Sequence, residues 1–339
     1  MTQALSPSAL LGQTPASSRA VIALSEGSDP RIVAGAIKAR SLGLADIVLV
    51  GATAEVEAEL SAQGTSSGPG LTIQDPAKSP FTSDFSKSFH ALRKHKGMTP
   101  EKAAEMVQDP LVFAAMLVRE GHATGTVGGA VATTSDVVRT ALQVIGKAPD
   151  AAMVSSFFLM YPPKNATAHS RAMLYSDCGL VIDPSAEDLV AIASASALSC
   201  QNLLRQEPKI AMLSFSTKGS ARHPAVTKVS EATAALHQTR PELQVDGELQ
   251  FDAAFAPEVG EKKSPGSSVA GQANVMIFPN LDAGNIGYKI SQRLGGYSAI
   301  GPILQGLAQP ANDLSRGCSA EDVVEMIAVT VLQAQNAGS

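Results

Sequence analysis

The chain has 339 residues, of which 45% are hydrophobic and 17% charged, and its formal net charge is −5. This composition excludes an intrinsically disordered chain, and the length exceeds what one hydrophobic core usually serves, so we expect two domains. The acidic balance argues against a general nucleic-acid-binding protein, which normally carries a surplus of Lys and Arg. Anionic substrates would therefore have to be attracted by a few locally placed cations.

Cysteine usage and the N-terminal residues both indicate a cytoplasmic protein. The three cysteines, Cys178, Cys200 and Cys318, are far apart and form no Cys-x-x-Cys pair. This pattern is typical of reduced thiols rather than of a disulfide framework. The N-terminal residues lack the basic start and apolar core of a secretory signal, and no apolar run approaches the ~20 residues that span a bilayer. We therefore expect no membrane segment, and the glycosylation sequon at 165–167 has no meaning in the cytoplasm.

After a loose Ser-, Pro- and Gln-rich tail at 1–18, short apolar runs alternate with helical patterns. The predicted strands cover 20–24, 46–50, 71–73, 124–129, 153–159, 179–182, 210–215, 243–251 and 274–278, with an irregular segment at 161–175. The predicted helices cover 28–43, 52–60, 83–95, a stretch from 99, 109–121, 133–145, 185–204, 224–237, 284–294 and 320–335. Strand–helix–strand order implies parallel pairing, so the sequence predicts an α/β protein. A change in composition near Pro149 predicts the domain boundary.

The C-terminal helix has a clear start signal. Ser319 followed three residues later by Asp322 fits a capping box, so the helix should begin near Ala320. That start places Ser315 and Arg316 close to a positive helix end, which suits an anion. The structural alternative is that Ser315 caps a turn and Arg316 is a solvated surface charge.

Several motifs, in order, carry a resemblance to a known family. They are 133–139 (TTSDVVR), 246–250 (DGELQ), 270–273 (AGQA), 283–289 (AGNIGYK), 301–306 (GPILQG) and 312–318 (NDLSRGC). Together they resemble the signature of the phosphate acetyltransferases, in the short form without an N-terminal regulatory extension. The resemblance spans nearly the whole chain after about residue 19.

The resemblance implies a fold similar to the isocitrate and isopropylmalate dehydrogenases. In that fold two α/β domains flank an inter-domain cleft. The first domain would comprise 1–149 plus 303–339, and the second 150–302. The family is also usually dimeric, so we expect a homodimer.

The resemblance further implies reversible acetyl transfer between acetyl phosphate and coenzyme A, directly in a ternary complex. It assigns Ser315 and Arg316 to the active site and makes Asp322, seven residues after Ser315, the general base for the thiol. Asp322 has the alternative of capping its own helix, and both roles can hold. Proton transfer from a thiol of pKa ~8.5 to an ordinary aspartate of pKa ~3.9 costs roughly 6 kcal/mol, so the three residues make sense only as a set.

The remaining candidate substrate-binding residues are Arg93, Arg139, Thr133, Thr134, Asn285 and Lys289. The two arginines match basic active-site positions of the family, and the two threonines open the helix that carries Arg139. For Arg93 the alternative is a cation that is favoured at a helix C-terminus. The last two residues lie four apart on one helix and are expected to contact substrate phosphates. The resemblance implies no metal, and no cofactor, because coenzyme A is a substrate.

Three functional alternatives remain open. Cys318 near a helix start has the chemistry of a nucleophile that forms an acetyl-cysteine, although a packing role is favoured. Phosphate butyryltransferases resemble the same family, and pocket volume decides the acyl length. Domains of this family also resemble acetyl-CoA sensors without catalytic activity.

Two other polar patterns attract attention. Four polar residues alternate along a predicted strand and would share one face: Asp246, Glu248, Gln250 and Asp252. They could form a metal or acid–base cluster, but we favour a solvated or interfacial polar face. The segment 214–220 is rich in Ser and Gly but lacks the P-loop pattern, no G-x-G-x-x-G follows a strand, and the six histidines show no metal-ligand spacing.

Overall fold

The computed structural model describes residues 4–13, 19–164, 166 and 169–336. Its strands are β1 Val21–Leu24, β2 Asp46–Val50, β3 Leu71–Gln74, β4 Gly125–Gly128, β5 Ser155–Tyr161, β6 Met173–Ser176, β7 Lys209–Leu213, β8 Gln244–Leu249, β9 Val275–Ile277, β10 Ser298–Gln305 and β11 Ala311–Asp313. Its α-helices are α1 Pro7–Gly12, α2 Pro30–Ser41, α3 Thr53–Ala62, α4 Thr82–Arg93, α5 Pro100–Met106, α6 Pro110–Arg119, α7 Thr134–Val144, α8 Ala186–Leu204, α9 Pro224–Thr239, α10 Phe251–Phe255, α11 Pro257–Lys263, α12 Leu281–Arg293 and α13 Ala320–Asn336.

The chain divides into two compact units. The first unit comprises Pro7–Pro149 and Leu307–Ser339, and the second comprises Met1–Ser6 and Asp150–Gly306. The predicted boundary at 302 needs correction, because Ile303, Leu304 and Gln305 continue β10 and pair with β5 of the second unit. The chain therefore returns to the first unit only after Gly306.

The first unit is built on a parallel sheet. The strand order is β11-β4-β1-β2-β3, and each neighbouring pair is parallel. Every residue of β4 and β11 is buried, and α13 is buried along most of its length. Because parallel strands end on the same edge, the loops that follow β1, β4 and β11 meet there, which is where α/β proteins place their ligands.

Helices of the first unit begin where the sequence places capping residues. Asp29 caps α2, Asp109 caps α6 and Thr133 caps α7, each by accepting a hydrogen bond from a backbone N–H of the first turn. Pro follows the cap at the first position of α2 and α6, where its missing N–H costs nothing. Local chemistry therefore fixes the ends of the helices that border the carboxyl edge of the sheet.

The second unit contains a mixed sheet in the order β10-β5-β6-β9-β7-β8. The pairs β6–β9, β9–β7 and β7–β8 are parallel, whereas β5 is antiparallel to both β6 and β10. The predicted α/β fold class is thus confirmed, with one all-parallel and one mixed sheet.

Several predicted elements of the second unit are wrong. The strand expected at 179–182 does not form, because Asp177 Oδ1 accepts the N–H groups of Gly179 and Leu180 at 2.8 and 2.9 Å and closes a turn there. The strand that forms is β6, which apart from Ser176 lies inside the segment predicted to be irregular. The strand expected over 243–251 ends at Leu249 and is followed by α10.

The tail also differs from its prediction. Helix α1 lies within 1–18, where a loose segment was expected, while 1–3 and 14–18 lie outside the described residues, as do 165 and 167 of the sequon. In the part of the chain that the structure describes, no helix has both the length and the apolar character needed to cross a bilayer.

Candidate active site

Ser315 begins a tight turn between β11 and α13. Its hydroxyl oxygen accepts the N–H of Gly317 at 3.2 Å, and its carbonyl oxygen accepts the N–H of Cys318 at 2.8 Å. Ser315 and Arg316 are both exposed. Because Ser315 Oγ already accepts a hydrogen bond, its own hydrogen is available to donate to an acceptor in solvent or substrate.

Arg31 holds this turn in place and was missed by the sequence reasoning. Its Nη1 donates to Arg316 O at 2.6 Å, and its Nη2 donates to Ala130 O at 2.7 Å in the loop after β4. Nε and Nη2 also bind both oxygens of Asp29 at 3.0 and 2.8 Å, and this pairing lowers the pKa of Asp29. The available signal was a cation in the first turn of a helix, where the helix dipole disfavours it unless it is engaged elsewhere.

Asp322 completes the predicted capping box of α13. Its Oδ2 accepts the backbone N–H of Ser319 at 2.8 Å and the Ser319 hydroxyl at 2.9 Å, while Ser319 Oγ accepts the Asp322 N–H at 3.3 Å. The structural role of Asp322 is therefore confirmed. The two bonds that the carboxylate accepts both use Oδ2, so the predicted role as a base falls to Oδ1.

Cys318 lies under the same turn and is only 6% exposed. Burial raises the pKa of its thiol; the Arg31 guanidinium opposes this, and the negative charges of Asp322, Asp29 and Glu26 add to it. A raised pKa leaves less thiolate at neutral pH, so this environment disfavours Cys318 as a nucleophile.

Arg93 and Arg139 line one cavity of about 770 Å³ in the first unit. Lys96 and Lys102 add two further cations to its lining. Arg139 Nη2 pairs with Asp136 Oδ1 at 2.9 Å, whereas Arg93 Nε is buried without a hydrogen-bond partner among the described residues. The structure thus brings together the two predicted arginines in a setting suited to a phosphate.

Thr133 and Thr134 begin α7, beside that cavity. Thr133 Oγ1 donates to Asp136 Oδ2 at 2.7 Å and accepts the Asp136 N–H at 3.2 Å, so its hydroxyl is engaged in capping. Thr134 is half-buried and faces Asp313, the last residue of β11. Of the two hydroxyls, that of Thr134 is therefore the better placed to contact a ligand.

The loop between β4 and α7 already holds a carboxylate. Glu26, after β1, accepts hydrogen bonds from the N–H groups of Ala130, Val131 and Ala132 at 2.7, 2.9 and 2.7 Å. Three successive N–H groups form an anion-binding concavity. The N–H groups that were expected to be open to phosphate near Thr133 are thus in part occupied by Glu26.

A second cavity of about 850 Å³ lies at the ends of β1, β2 and β3. Its acidic lining residues are Glu26, Asp29, Glu55, Asp75 and Asp109. Three of them bind backbone N–H groups at the starts of α2, α3 and α6, so much of their charge is compensated locally. Asp109, Leu111 and Ala132 line both cavities, which therefore adjoin and together offer room for an elongated ligand.

Asp313 is the unexpected residue of the site. It is fully buried two residues before Ser315, and neither carboxylate oxygen has a hydrogen-bond partner among the described residues. Burial raises the pKa of Asp313 to about 7, and the charge of Glu26 adds to this. The Thr134 hydroxyl and the Leu314 N–H partly oppose it, because they lie close to the carboxyl group although outside hydrogen-bond geometry. The motif at 312–318 contains Asp313, but its burial is not visible in the sequence.

Asn285 and Lys289 lie on α12 of the second unit. Asn285 Nδ2 donates to Cys178 O at 3.1 Å, which ties the helix to the turn after β6. Lys289 Nζ lies 5.7 Å from the centre of the Tyr288 ring. Their part in substrate binding stays a prediction.

The polar residues at 246–252 do not form one shared strand face, and of the four only Asp252 is exposed to solvent. Asp246 and Glu248 are 8% and 5% exposed on β8, while Gln250 and Asp252 lie beyond its end. Asp246 pairs with Lys218, and Glu248 accepts the Gly219 N–H at 2.7 Å. The Ser- and Gly-rich loop at 214–220 therefore wraps two buried carboxylates instead of presenting a phosphate site.

The fold and the site define an α/β protein with cationic groups gathered beside the carboxyl edge of a parallel sheet. The family model described as Phosphate acetyl/butaryl transferase matches residues 10–331. The phosphate acetyltransferase of Paracoccus denitrificans is 49% identical over 312 residues, which are 92% of this chain and 94% of that relative. The chain belongs to the phosphate acetyl/butyryl transferase family.

Solved structures agree with this assignment. The crystal structure of a phosphotransacetylase from Streptococcus pyogenes has a TM-score of 0.88 at 44% identity, covering 96% of this chain and 97% of that one. A putative 4-hydroxythreonine-4-phosphate dehydrogenase from Salmonella typhimurium has a TM-score of 0.55 at 13% identity, covering 94% and 99%. The second likeness is one of fold alone, and it confirms the predicted similarity to a dehydrogenase-type fold.

Proposed function

We propose that the chain is a phosphate acetyltransferase, which transfers acetyl reversibly between acetyl phosphate and coenzyme A. The observation that carries the proposal is the turn at 315–318, which joins an outward-facing hydroxyl and a guanidinium to the capped start of α13. The neighbouring cavity with Arg93 and Arg139 supplies cations for phosphates. The activity named for the curated relatives supports the choice of reaction.

The mechanism begins with the thiol proton of coenzyme A. Asp322 accepts it, a transfer that costs roughly 6 kcal/mol between an ordinary thiol and an ordinary carboxylate. A hydrogen bond from the Ser315 hydroxyl to the thiolate offsets about 1.5–3 kcal/mol of that cost. Arg316 and the start of α13 place positive potential at the same point, where the carbonyl and phosphoryl oxygens gain charge in the transition state.

A matched pair of variants separates the two roles of Asp322. Asp322→Asn keeps an oxygen that caps α13 but cannot accept a proton, so we expect kcat to fall by about 10²–10⁴ with little change in stability. Ser319→Ala removes the cap and keeps the carboxylate, so it should cost about 1 kcal/mol of stability and leave kcat near the wild-type value. Thioester absorbance with acetyl phosphate and coenzyme A measures the rate, and urea denaturation measures stability. Near-normal turnover of Asp322→Asn would remove Asp322 from the chemistry.

Acetyl is proposed over longer acyl groups because the curated relatives at 46–49% identity are named phosphate acetyltransferases. Comparison of kcat/KM for acetyl phosphate and butyryl phosphate tests this choice directly. A chain that binds acetyl-CoA but does not break it down in the presence of arsenate would instead be a sensor.

The expected partners are coenzyme A or acetyl-CoA, acetyl phosphate and phosphate, in a cytoplasmic homodimer that uses no metal. Helix α12 and the residue after it offer a candidate dimer contact, since Ile286, Ile290 and Leu294 repeat every fourth residue and are 57%, 53% and 85% exposed. Light scattering of the wild type and of Ile290→Lys tests this arrangement. A monomeric wild type would refute it.

A further inference from the structure

Two carboxyl groups flank the carboxyl end of β4, and their hydrogen-bonding environments are opposite. Glu26 lies on the β1 side and is saturated by three backbone N–H groups. Asp313 lies on the β11 side, is 0% exposed, and has no hydrogen-bond partner within the described part of the chain. Carboxyl groups whose surroundings differ in this way take different protonation states, and such pairs mark acid and base assignments in enzymes.

The backbone at Gly129, directly after β4, leaves room for the Asp313 side chain. A Cβ at Gly129 would lie 2.0 Å from Asp313 Oδ1 and 2.9 Å from Leu314 N, and Gly129 has a φ of +100°. Only glycine satisfies both the space and the backbone angle at this position. The chain thus brings a carboxyl group against the loop that leads to Thr134, without giving it a bonded partner.

The elements that adjoin Asp313 carry several other charged groups. They are Glu26 and Arg31 after β1, Asp136 and Arg139 on α7, Arg316 between β11 and α13, and Asp322 in the first turn of α13. Arg31 is bonded to Asp29, and Arg139 is paired with Asp136. Strand β4 contributes no titratable group. Burial raises the pKa of Asp313 to about 7, and Glu26 is the neighbouring charge that adds to this.

The reaction proposed above leaves one proton unassigned. Asp322 takes the thiol proton on one side of the acetyl group, while the phosphate that leaves on the other side gains charge and needs a proton to depart as the ordinary dianion. The Ser315 hydroxyl is assigned to the thiolate, and the guanidinium of Arg316 offers positive charge but no proton that it can lose, so a different group has to give the phosphate its proton.

We propose that Asp313 holds a proton in the resting protein and delivers it, through the hydroxyl of Thr134, to the phosphate that leaves acetyl phosphate. This inference rests on the proposed function. As the sulfur–carbon bond forms and the carbon–oxygen bond to phosphate breaks, Thr134 gives its hydroxyl proton to the leaving oxygen and takes the proton of Asp313. Asp322 meanwhile holds the thiol proton, so one proton has moved from Asp313 to Asp322 and exchange with solvent restores the start. The reverse reaction runs the same steps backwards.

The test compares wild type with Asp313→Asn and Thr134→Val, in the direction that consumes acetyl phosphate. Asn has the shape of Asp but no acidic proton, and Val has the shape of Thr but no hydroxyl. We expect each variant to lower kcat by about 100-fold, with KM for acetyl phosphate changed by less than about threefold. Thr134→Ser keeps the hydroxyl and should restore most of kcat. Asp84→Asn, which alters an exposed carboxylate paired with Lys87, is the matched control.

The pH profile separates proton delivery from a purely structural role. Wild-type kcat/KM should fall as the pH rises above an apparent pKa of about 7, because the reaction needs the acid form of Asp313. This fall in kcat/KM at alkaline pH should be absent in Asp313→Asn. If Asp313→Asn still shows the fall in kcat/KM above about pH 7, or retains the wild-type kcat, the proposal is overturned.

Infrared spectroscopy tests the proton itself, independently of turnover. The wild-type minus Asp313→Asn difference spectrum should contain a carboxylic acid carbonyl band at about pH 6 that disappears at about pH 9. A carboxylate at both pH values refutes the resting proton. If wild type shows the acid band but does not convert acetyl phosphate and coenzyme A, the proposed function fails while the resting proton of Asp313 stands.

Discussion

Replacing Asp313 by Asn should change how the stability of the protein depends on pH. The pKa of Asp313 is about 7 in the fold against a reference of 3.8, mainly because of burial. The difference of about 3 units, at 1.36 kcal/mol each, corresponds to roughly 4 kcal/mol. Because the folded state binds this proton more tightly than the unfolded chain, the contribution is complete below about pH 4 and is lost as the pH rises through about 7.

The variant has no charge to bury, so it does not lose that free energy at alkaline pH. Its amide needs hydrogen-bond partners that the site lacks, which costs about 1–3 kcal/mol at any pH. We therefore expect Asp313→Asn to be less stable than wild type at about pH 4 and more stable, by about 1–3 kcal/mol, at about pH 9.

Urea denaturation at several pH values measures this crossing. The other titrating groups are the same in both proteins, so the difference between the two free energies of unfolding isolates Asp313. Asp84→Asn should show a difference from wild type below about 0.5 kcal/mol throughout, since its carboxylate is exposed. A wild type minus Asp313→Asn difference that stays constant within about 1 kcal/mol from pH 5 to 9 would show that Asp313 does not bind its proton in the fold.

Three further changes probe the loops around this residue. Arg31→Gln removes the bonds to Arg316 O and Ala130 O, so kcat/KM for acetyl phosphate should fall about 10- to 100-fold while circular dichroism stays unchanged; an unaltered kcat/KM would show that the turn holds its own shape. Cys318→Ser should keep kcat within an order of magnitude in steady-state assays, because the buried thiol is a poor nucleophile, and a larger loss would revive an acetyl-cysteine route. Gly129→Ala should lower the free energy of unfolding by more than about 2 kcal/mol in urea, whereas Gly68→Ala, where a Cβ meets no atom within 4 Å, should change it little.

Helix starts could be predicted from the sequence because their causes are local. Asp109 and Ser319 each lie directly before the helix they cap, and their partners are within three residues. Strand β10 was missed because its sequence contains Gly301 and Pro302, which read as a turn. What makes it a strand is antiparallel pairing with β5, and that pairing joins segments far apart in the chain.

The site shows the same division between local and distant causes. Ser315, Arg316 and Asp322 belong to one short segment, so a motif identifies them together. Arg31 acts on a carbonyl 285 residues further along the chain, and no local pattern announces that contact. Asp313 stands inside the motif, but its unpaired burial results from the approach of β4 and of the loop before α7, which the sequence does not specify.

Negative charge around the carboxyl end of β4 is compensated in three ways, and this bears on how an acidic protein can accept an anion. Backbone N–H groups compensate Glu26, and Arg31 compensates Asp29. Asp313 is bound neither by backbone N–H groups nor by an arginine. At neutral pH its negative charge is therefore reduced by a bound proton. A phosphate at the start of α7 adds negative charge near Asp313 and makes loss of that proton still less favourable. Asp313 therefore keeps its proton beside the expected phosphate position in the resting protein. When the carbon–oxygen bond breaks, the leaving phosphate gains negative charge and can accept that proton.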